Sequence, residues 1–567
     1  MAKAEATVEE LVGMIERGEL RLPEMQRRYV WRSPRVRDLF DSLYRGYPSG
    51  AIMLWETDEG VPMQEFAVQQ QKNPYQSTRL LLDGQQRLTS LSAVIRGEPV
   101  AVRDRKKPIE LLFNLEHPDE LAIVTEVNED AVDDEEENDG TDDEPDSTED
   151  ELQQRFNKMT FVVATKKLEQ LPQWIKVTDV FKTDEDAPFL ERAGIEKFND
   201  PRFKKYSQRL ARLRGIRKYV YRMDVLERKL SYDEVTEIFV RVNSLGAKLR
   251  SSDLALAQIT AKWRGALTTF QGFEDQCAKK GFELDVGLQL RNLVAFATGQ
   301  SRFLTVNTIP VSKLQESWNE SVKGMEFAVN FLKNNVGLDS PALLSSPFLI
   351  AALGYYGHKR DYHISANESQ RLRYWVLVAN AKGRYSRGSS ETLLDQDLAT
   401  LRDGGGVNEL IERLRLQVGV LEVSPEELEG RNQRSAFFKT MFLAFRSAGA
   451  KDWKSHLAIA LDHSGSQHFL QFHHIFPKAL LKRSYPNREA DDIANLAFIG
   501  GKTNRAISDK SPADYFPALI EKAGEDAFSA QCIPIDPKLL TLERYKDFLG
   551  ERRKLIGERL NEFLHSK

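Results

Sequence analysis

The sequence predicts an α+β protein that is predominantly helical, and three observations carry that prediction. Short β-type apolar runs alternate with helical spacing over roughly the first 250 residues. From Ser252 to about Ser447 apolar residues recur almost wholly at helical spacing. Near the C-terminus a strand-like alternation ends in His473-His474, and a second apolar strand and a short helix follow. The 567 residues are 41% hydrophobic and 29% charged, with a mean hydropathy of -0.47. At roughly 150 residues per domain this describes a soluble chain of about two to four domains. No run approaches the ~18 consecutive apolar residues of a membrane span. Met1 to Glu10 lacks the basic-then-apolar pattern of a signal peptide, so a cytoplasmic location without a membrane partner is expected. Cys277 and Cys532 stand far apart, which excludes a disulfide framework and a cysteine-based zinc finger.

The elements follow in order. Thr7 and Glu10 have capping-box spacing before a helix carrying Leu11 and Ile15. A helix from about Pro34 to Tyr44 ends at Gly46, and a short strand spans Ala51 to Trp55. Leu80-Leu81-Leu82 reads as a buried strand running into Asp83-Gly84-Gln85-Gln86-Arg87, after which Leu88, Leu91 and Val94 show helical spacing. Between Glu126 and Glu151, 16 of 26 residues are acidic and none is Lys or Arg. That run cannot bury enough apolar surface to fold and reads as a disordered insertion, either a solvated spacer or a DNA-mimicking loop over a basic groove. Without it the chain has 80 basic and 69 acidic residues, a net of +11, which permits a nucleic-acid partner. Strands are expected at Phe161 to Ala164 and Trp174 to Val177. The basic helix from Arg202 to Lys218 is either a phosphate-contacting face or a solvated one. A further helix from Tyr232 to Val242 is stopped by Asn243-Ser244-Leu245-Gly246. The expected domains are 1–255 with the insertion at 126–151, a helical 256–447, and 448–567.

Five of the nine histidines fall between His456 and His474. Phe469 to Phe476 alternates like a strand, Asn495 opens the strand Leu496 to Ile499, Gly500-Gly501 makes a turn, and Lys502-Thr503-Asn504-Arg505 opens a helix. In such an arrangement one residue at the end of the first strand can bind a divalent metal. Its neighbour can act as general base, because neutral imidazole titrates near neutrality. An Asn on the second strand can orient that imidazole, and a helical residue can complete a metal site that stabilises a phosphorane-like transition state.

From Gln467 to Tyr515 this pattern resembles the ββα-metal (HNH) nucleases in the form with a helical Asn ligand. The resemblance implies His473 and Asn504 as ligands of Mg2+ or Mn2+, His474 as general base, Asn495 as its orienting residue, and Lys502 and Arg505 as DNA-binding residues. Many relatives carry an acid where His473 stands, which leaves the metal preference open. Some also carry structural cysteine pairs, whose place packing must take here.

The N-terminal junction Asp83 to Arg87 presents backbone N–H groups to any anion, while Asp83 as N-cap with Gln86 reaching back explains the same residues without a ligand. Asp-Gly-Gln-Gln-Arg-Leu-Thr resembles the signature of the ParB/sulfiredoxin-like NTPase domain of GmrSD-type modification-dependent restriction enzymes. Gln26-Arg27-Arg28-Tyr29-Val30-Trp31, the run Asp41 to Gly50, and Phe239 to Gly246 with Arg241 and Asn243 match its other motifs. The resemblance implies a nucleotide site of Asp83, Gly84, Gln85, Gln86 and Arg87 with Gln26 and Arg27 nearby. It also implies an NTP (GTP, ATP or another) as cofactor and modified phage DNA as partner. The expected function is NTP-controlled, metal-dependent cleavage of modified DNA in antiphage defence. The alternatives are an NTP-regulated DNA-binding sensor with an inactive nuclease site, or an RNA-directed or toxic nuclease. Self-association into a homo-oligomer is compatible with the sequence, which encodes no oligomeric state.

Overall fold

Local signals build the first unit, Met1–Leu267, from its N-terminus. Thr7 and Glu10 close the expected capping box, with Thr7 N–H donating to Glu10 at 2.7 Å, and the helix Val8–Glu16 buries Leu11 and Ile15. The helix Ser33–Arg45 starts with Pro34 in its first turn and stops at Gly46, whose φ of 79° a side chain would resist. The computed structural model describes residues 2–57, 60–71, 79–100, 108–119, 156–245, 250–386, 388–461, 470–482 and 484–566. The acidic run 126–151, together with His463 and His468, lies outside the described residues.

The described strands of this unit are β1 (Ala2–Thr7), β2 (Leu20–Pro23), β3 (Ile52–Glu56), β4 (Met63–Gln64), β5 (Arg79–Asp83), β6 (Leu111–Asn114), β7 (Phe161–Val163), β8 (Trp174–Lys176) and β9 (Val220–Leu226). Six form a mixed sheet in the order β1-β9-β3-β5-β2-β4. β5 pairs parallel to β2 and antiparallel to β3, which places its C-terminal Asp83 opposite Met53. A second sheet, β7-β6-β8, is antiparallel, and Tyr44 packs on its Phe113 and Phe161 rings at 5.3 and 5.7 Å.

Of the basic helix, Pro201–Arg214, Arg209 is buried and Arg202, Lys204 and Arg212 are exposed. Arg209 donates to the carbonyls of Leu115 and His117 and to Asp119. Arg212 donates to the Tyr44 carbonyl and lies 4.5 Å over its ring. Arg214 holds the carbonyls of Val180 and Thr183 and the Asp186 carboxylate, and Arg217 holds the Phe181 carbonyl. These guanidiniums cross-link neighbouring backbone, while Arg202, Lys204, Arg212 and Lys218 remain exposed. The helix Tyr232–Leu245 continues three residues past the expected stop at Val242.

The second unit, Thr268–Lys567, contains both the helical region and the histidine-rich segment. Trp318, Trp375 and Phe437 are core residues, as their helical spacing predicts. Its described strands, β10 (Leu470–His474) and β11 (Leu496–Gly500), pair antiparallel and run directly into the helix Gly501–Ile507. Phe438, Phe442 and Phe445 of the helix Ala436–Ser447 surround Phe498 at ring separations of 4.9, 5.2 and 6.1 Å. Both cysteines are free and buried, and no helix among the described residues is long and apolar enough to cross a membrane.

Candidate functional site

The hairpin and helix of the second unit bring His473 and Asn504 together. Alternate residues of β10 share a face, so Gln471 and His473 look toward the helix Gly501–Ile507. His473 Nδ1 lies 2.9 Å from Asn504 Oδ1, and Asn504 Nδ2 donates to Gln471 Oε1 at 2.9 Å. His473 is buried, with Trp453 against its ring at 6.0 Å. Burial pushes its pKa down to about 4, so it is neutral at pH 7 and keeps a lone pair for a metal. His473 Nδ1 and Asn504 Oδ1 are the atoms that would hold a magnesium- or manganese-type ion. No three His, Cys, Asp or Glu side chains converge among the described residues, so water and phosphate would supply the remaining ligands.

His474 leaves the opposite face of β10, beside Phe472. Its Nε2 lies 3.2 Å from Asp491 Oδ1, which also binds Lys478 Nζ at 2.8 Å. Burial raises the Asp491 pKa, but these two partners outweigh it and hold the carboxyl below its ordinary range. Nothing in the spacing of the sequence pointed to Asp491, because it lies in the loop between the strands. The fixed acceptor at Nε2 leaves Nδ1 as the basic nitrogen of His474.

Asn495 is fully buried, and its contacts differ from the expectation that it orients the imidazole. Nδ2 donates to the carbonyls of Phe476 and Ala490 at 3.0 and 2.9 Å, and Oδ1 accepts from Phe476 N–H at 2.9 Å. It clamps the backbone that follows His474 and acts on the ring through the chain. Around it, buried Arg552 holds the carbonyls of Ala494, Leu496 and Gln531. Asp452 accepts from Gly500 N–H at 2.7 Å and Thr503 Oγ at 2.8 Å, which fixes the start of the Asn504 helix. Lys502 and Arg505 are exposed on that helix.

In the first unit three of the N-terminal motifs, Gln26 to Trp31, Asp41 to Gly50 and Asp83 to Arg87, meet at the end of β5, whereas Arg241 of the fourth is exposed and pairs with Glu237. Gly84 caps the helix Gln85–Arg96 at a φ of 101°, where a Cβ would lie 2.5 Å from Ile52 Cδ1. Asp83 is therefore not the N-cap. Gln86 reaches neither back to it nor outward: its Oε1 accepts from Val30 N–H and Trp31 N–H at 2.9 and 3.2 Å. Arg87 donates to the carbonyls of Ser49 and Ala51 and to Asp83. Gln26 donates to the carbonyls of Leu81 and Leu82, and Arg27 pairs with Asp253 at 3.3 Å. Gln85 and Tyr29 are buried. Gln26, Gln86 and Arg87 thus hold the backbones of neighbouring segments, and Arg27 holds a carboxylate. The N–H groups of Gln85, Gln86 and Arg87 precede the first helical bond, from Leu88 to Gly84, at a start where Gly84 and Gln85 are buried and the half-exposed Asp83 carboxylate pairs with Arg87.

Residues 8–260 match the GmrSD restriction endonuclease N-terminal domain family. The chain is also similar to an uncharacterized protein of Methanocaldococcus jannaschii, at 24% identity over 561 residues, covering 90% of this chain and 86% of the relative. The match lies within the first unit and does not extend into the second.

Proposed function

We propose that the chain is a metal-dependent endonuclease that cuts modified phage DNA under the control of an NTP bound by its first unit. The observation that carries this reading is the 2.9 Å approach of His473 Nδ1 to Asn504 Oδ1 on a β-β-α unit whose next residue is a held histidine. His473 and Asn504 hold a magnesium- or manganese-type ion. That ion, when bound, supplies charge to stabilise the pentavalent transition state and the leaving oxygen. His474 takes the proton of the attacking water on Nδ1, with Asp491 holding Nε2–H and stabilising the imidazolium that forms. Asn495 keeps the histidine-bearing turn in place. Lys502 and Arg505 receive phosphates flanking the scissile bond. In the first unit, the helix start after Gly84 receives the nucleotide phosphates, while Arg87, Gln86 and Gln26 maintain the loops around it.

The test is cleavage of three DNAs: unmodified, glucosylated hydroxymethylcytosine and phosphorothioate. Each is incubated with magnesium or manganese, with and without NTP, beside His474→Ala. Metal-dependent cutting of a modified DNA, lost in the variant, is expected. Intact NTP hydrolysis with no cutting of any substrate would instead identify a regulated DNA-binding protein. Digestion of RNA in preference to DNA would reject the DNA substrate.

A further inference from the structure

Counting protons around His473 assigns a role to Tyr515, which lies in the helix Pro512–Ala523 and is buried. Its hydroxyl has one proton and two neighbours, the Ile475 carbonyl at 2.9 Å and His473 Nε2 at 3.2 Å. A carbonyl can only accept, so the nearer bond takes the tyrosine proton. His473 Nε2 must then carry a proton and donate it to the Tyr515 oxygen. That leaves Nδ1 bare. On the other side, Asn504 Nδ2 donates one of its two N–H groups to Gln471 Oε1, which turns Oδ1 toward His473. Two lone pairs therefore face each other across 2.9 Å with no proton between them. Such a pair is repulsive until a cation enters it, and a ligating histidine ordinarily donates its other N–H to a fixed acceptor.

We propose that Tyr515 is the positioning residue that sets the tautomer of His473 and presents Nδ1 to the metal. Tyr515 touches neither substrate nor ion and acts through His473. The role rests on the metal site proposed above, and its test separates the two.

The experiment uses the full chain labelled with 15N-histidine, together with manganese titration by calorimetry. Long-range 1H–15N spectra of the metal-free wild type should show His473 protonated at Nε2, with His473→Ala identifying its signals among the nine histidines. A wild-type His473 protonated at Nδ1 overturns the proposal, and this reading needs no variant that keeps Tyr515's fold. Tyr515→Phe should mix the two tautomers and weaken manganese binding by about 10- to 100-fold, whereas His473→Ala should abolish the site. If His473→Ala leaves manganese binding intact, the metal reading fails, and the tautomer spectra still decide the role of Tyr515. If His473→Ala abolishes binding while Tyr515→Phe binds manganese as the wild type does, with an unchanged His473 spectrum, Tyr515 has no such role.

Discussion

Replacing Asn495 by alanine separates two ways in which this residue could serve His474. The sequence pattern predicts that it orients the imidazole. The structure places its three hydrogen bonds on the backbone of Phe476 and Ala490. In Asn495→Ala two carbonyls and one N–H lose their partners in a site with no exposed surface at Asn495. At roughly 1 kcal/mol for each lost bond, and more for groups left without water, the second unit should lose about 3 kcal/mol. Hydrogen exchange followed by mass spectrometry reads this directly. Peptides covering residues 470–500 should exchange ~100-fold faster where they open with the hairpin, and peptides of the first unit should not change. Cleavage should fall with the loss of hairpin order. Loss of cleavage with exchange unchanged across 470–500 would refute the clamp and return Asn495 to direct contact with the ring.

Three further outcomes follow from the same bonds. Arg87→Ala should lower the melting temperature of the first unit as well as weaken nucleotide binding, because the guanidinium holds the carbonyls of Ser49 and Ala51; a nucleotide titration beside calorimetric melting checks both. Arg209→Ala should destabilise that unit by about 3 kcal/mol in urea and leave the salt dependence of DNA binding unchanged, since its donors are spent on Leu115, His117 and Asp119. His117 is held below its ordinary pKa of 6.5, at about 4, by burial and by the positive charges of Arg209 and Arg212. The unfolded chain then binds a proton that the folded chain refuses, so stability is complete above pH 6.5 and is lost as pH falls toward 4. His117→Gln should flatten the melting temperature over that window.

The fold was legible where a local signal coincides with burial. The Thr7–Glu10 box, Gly46, the apolar β5 and the helical spacing after Ser252 all mark elements that form where expected. β1 and β9 were missed for the same reason in reverse. Each mixes charged residues with apolar ones, Glu5 in β1 and Arg222 and Asp224 in β9, and each is a strand because its partner supplies the ladder from more than 200 positions away. The basic helix shows what a charge count leaves out, namely which guanidiniums also cross-link the backbone. Arg209, Arg212 and Arg214 meet carbonyls contributed by distant loops, and only the assembled unit shows those acceptors.

The same distinction governs both candidate sites. A motif names residues whose types are required, but ligand contact and backbone support demand the same donors. Gln86, Arg87 and Asn495 read as ligand-facing in sequence because amides and guanidiniums bind phosphates and orient bases. Here their donors and acceptors are consumed by main-chain groups of Arg28, Val30, Ser49, Ala51, Phe476 and Ala490. In the proposed reading, what a ligand can use is what that consumption leaves over: the first N–H groups after Gly84, His474 Nδ1, and the facing atoms of His473 and Asn504. His473 and Asn504 could be paired from spacing because a hairpin and its following helix fix their separation locally. Asp491 and Tyr515 could not, since a loop and a later helix deliver them. A variant that removes a consumed donor, such as Arg87→Ala or Asn495→Ala, should therefore lower stability and activity together.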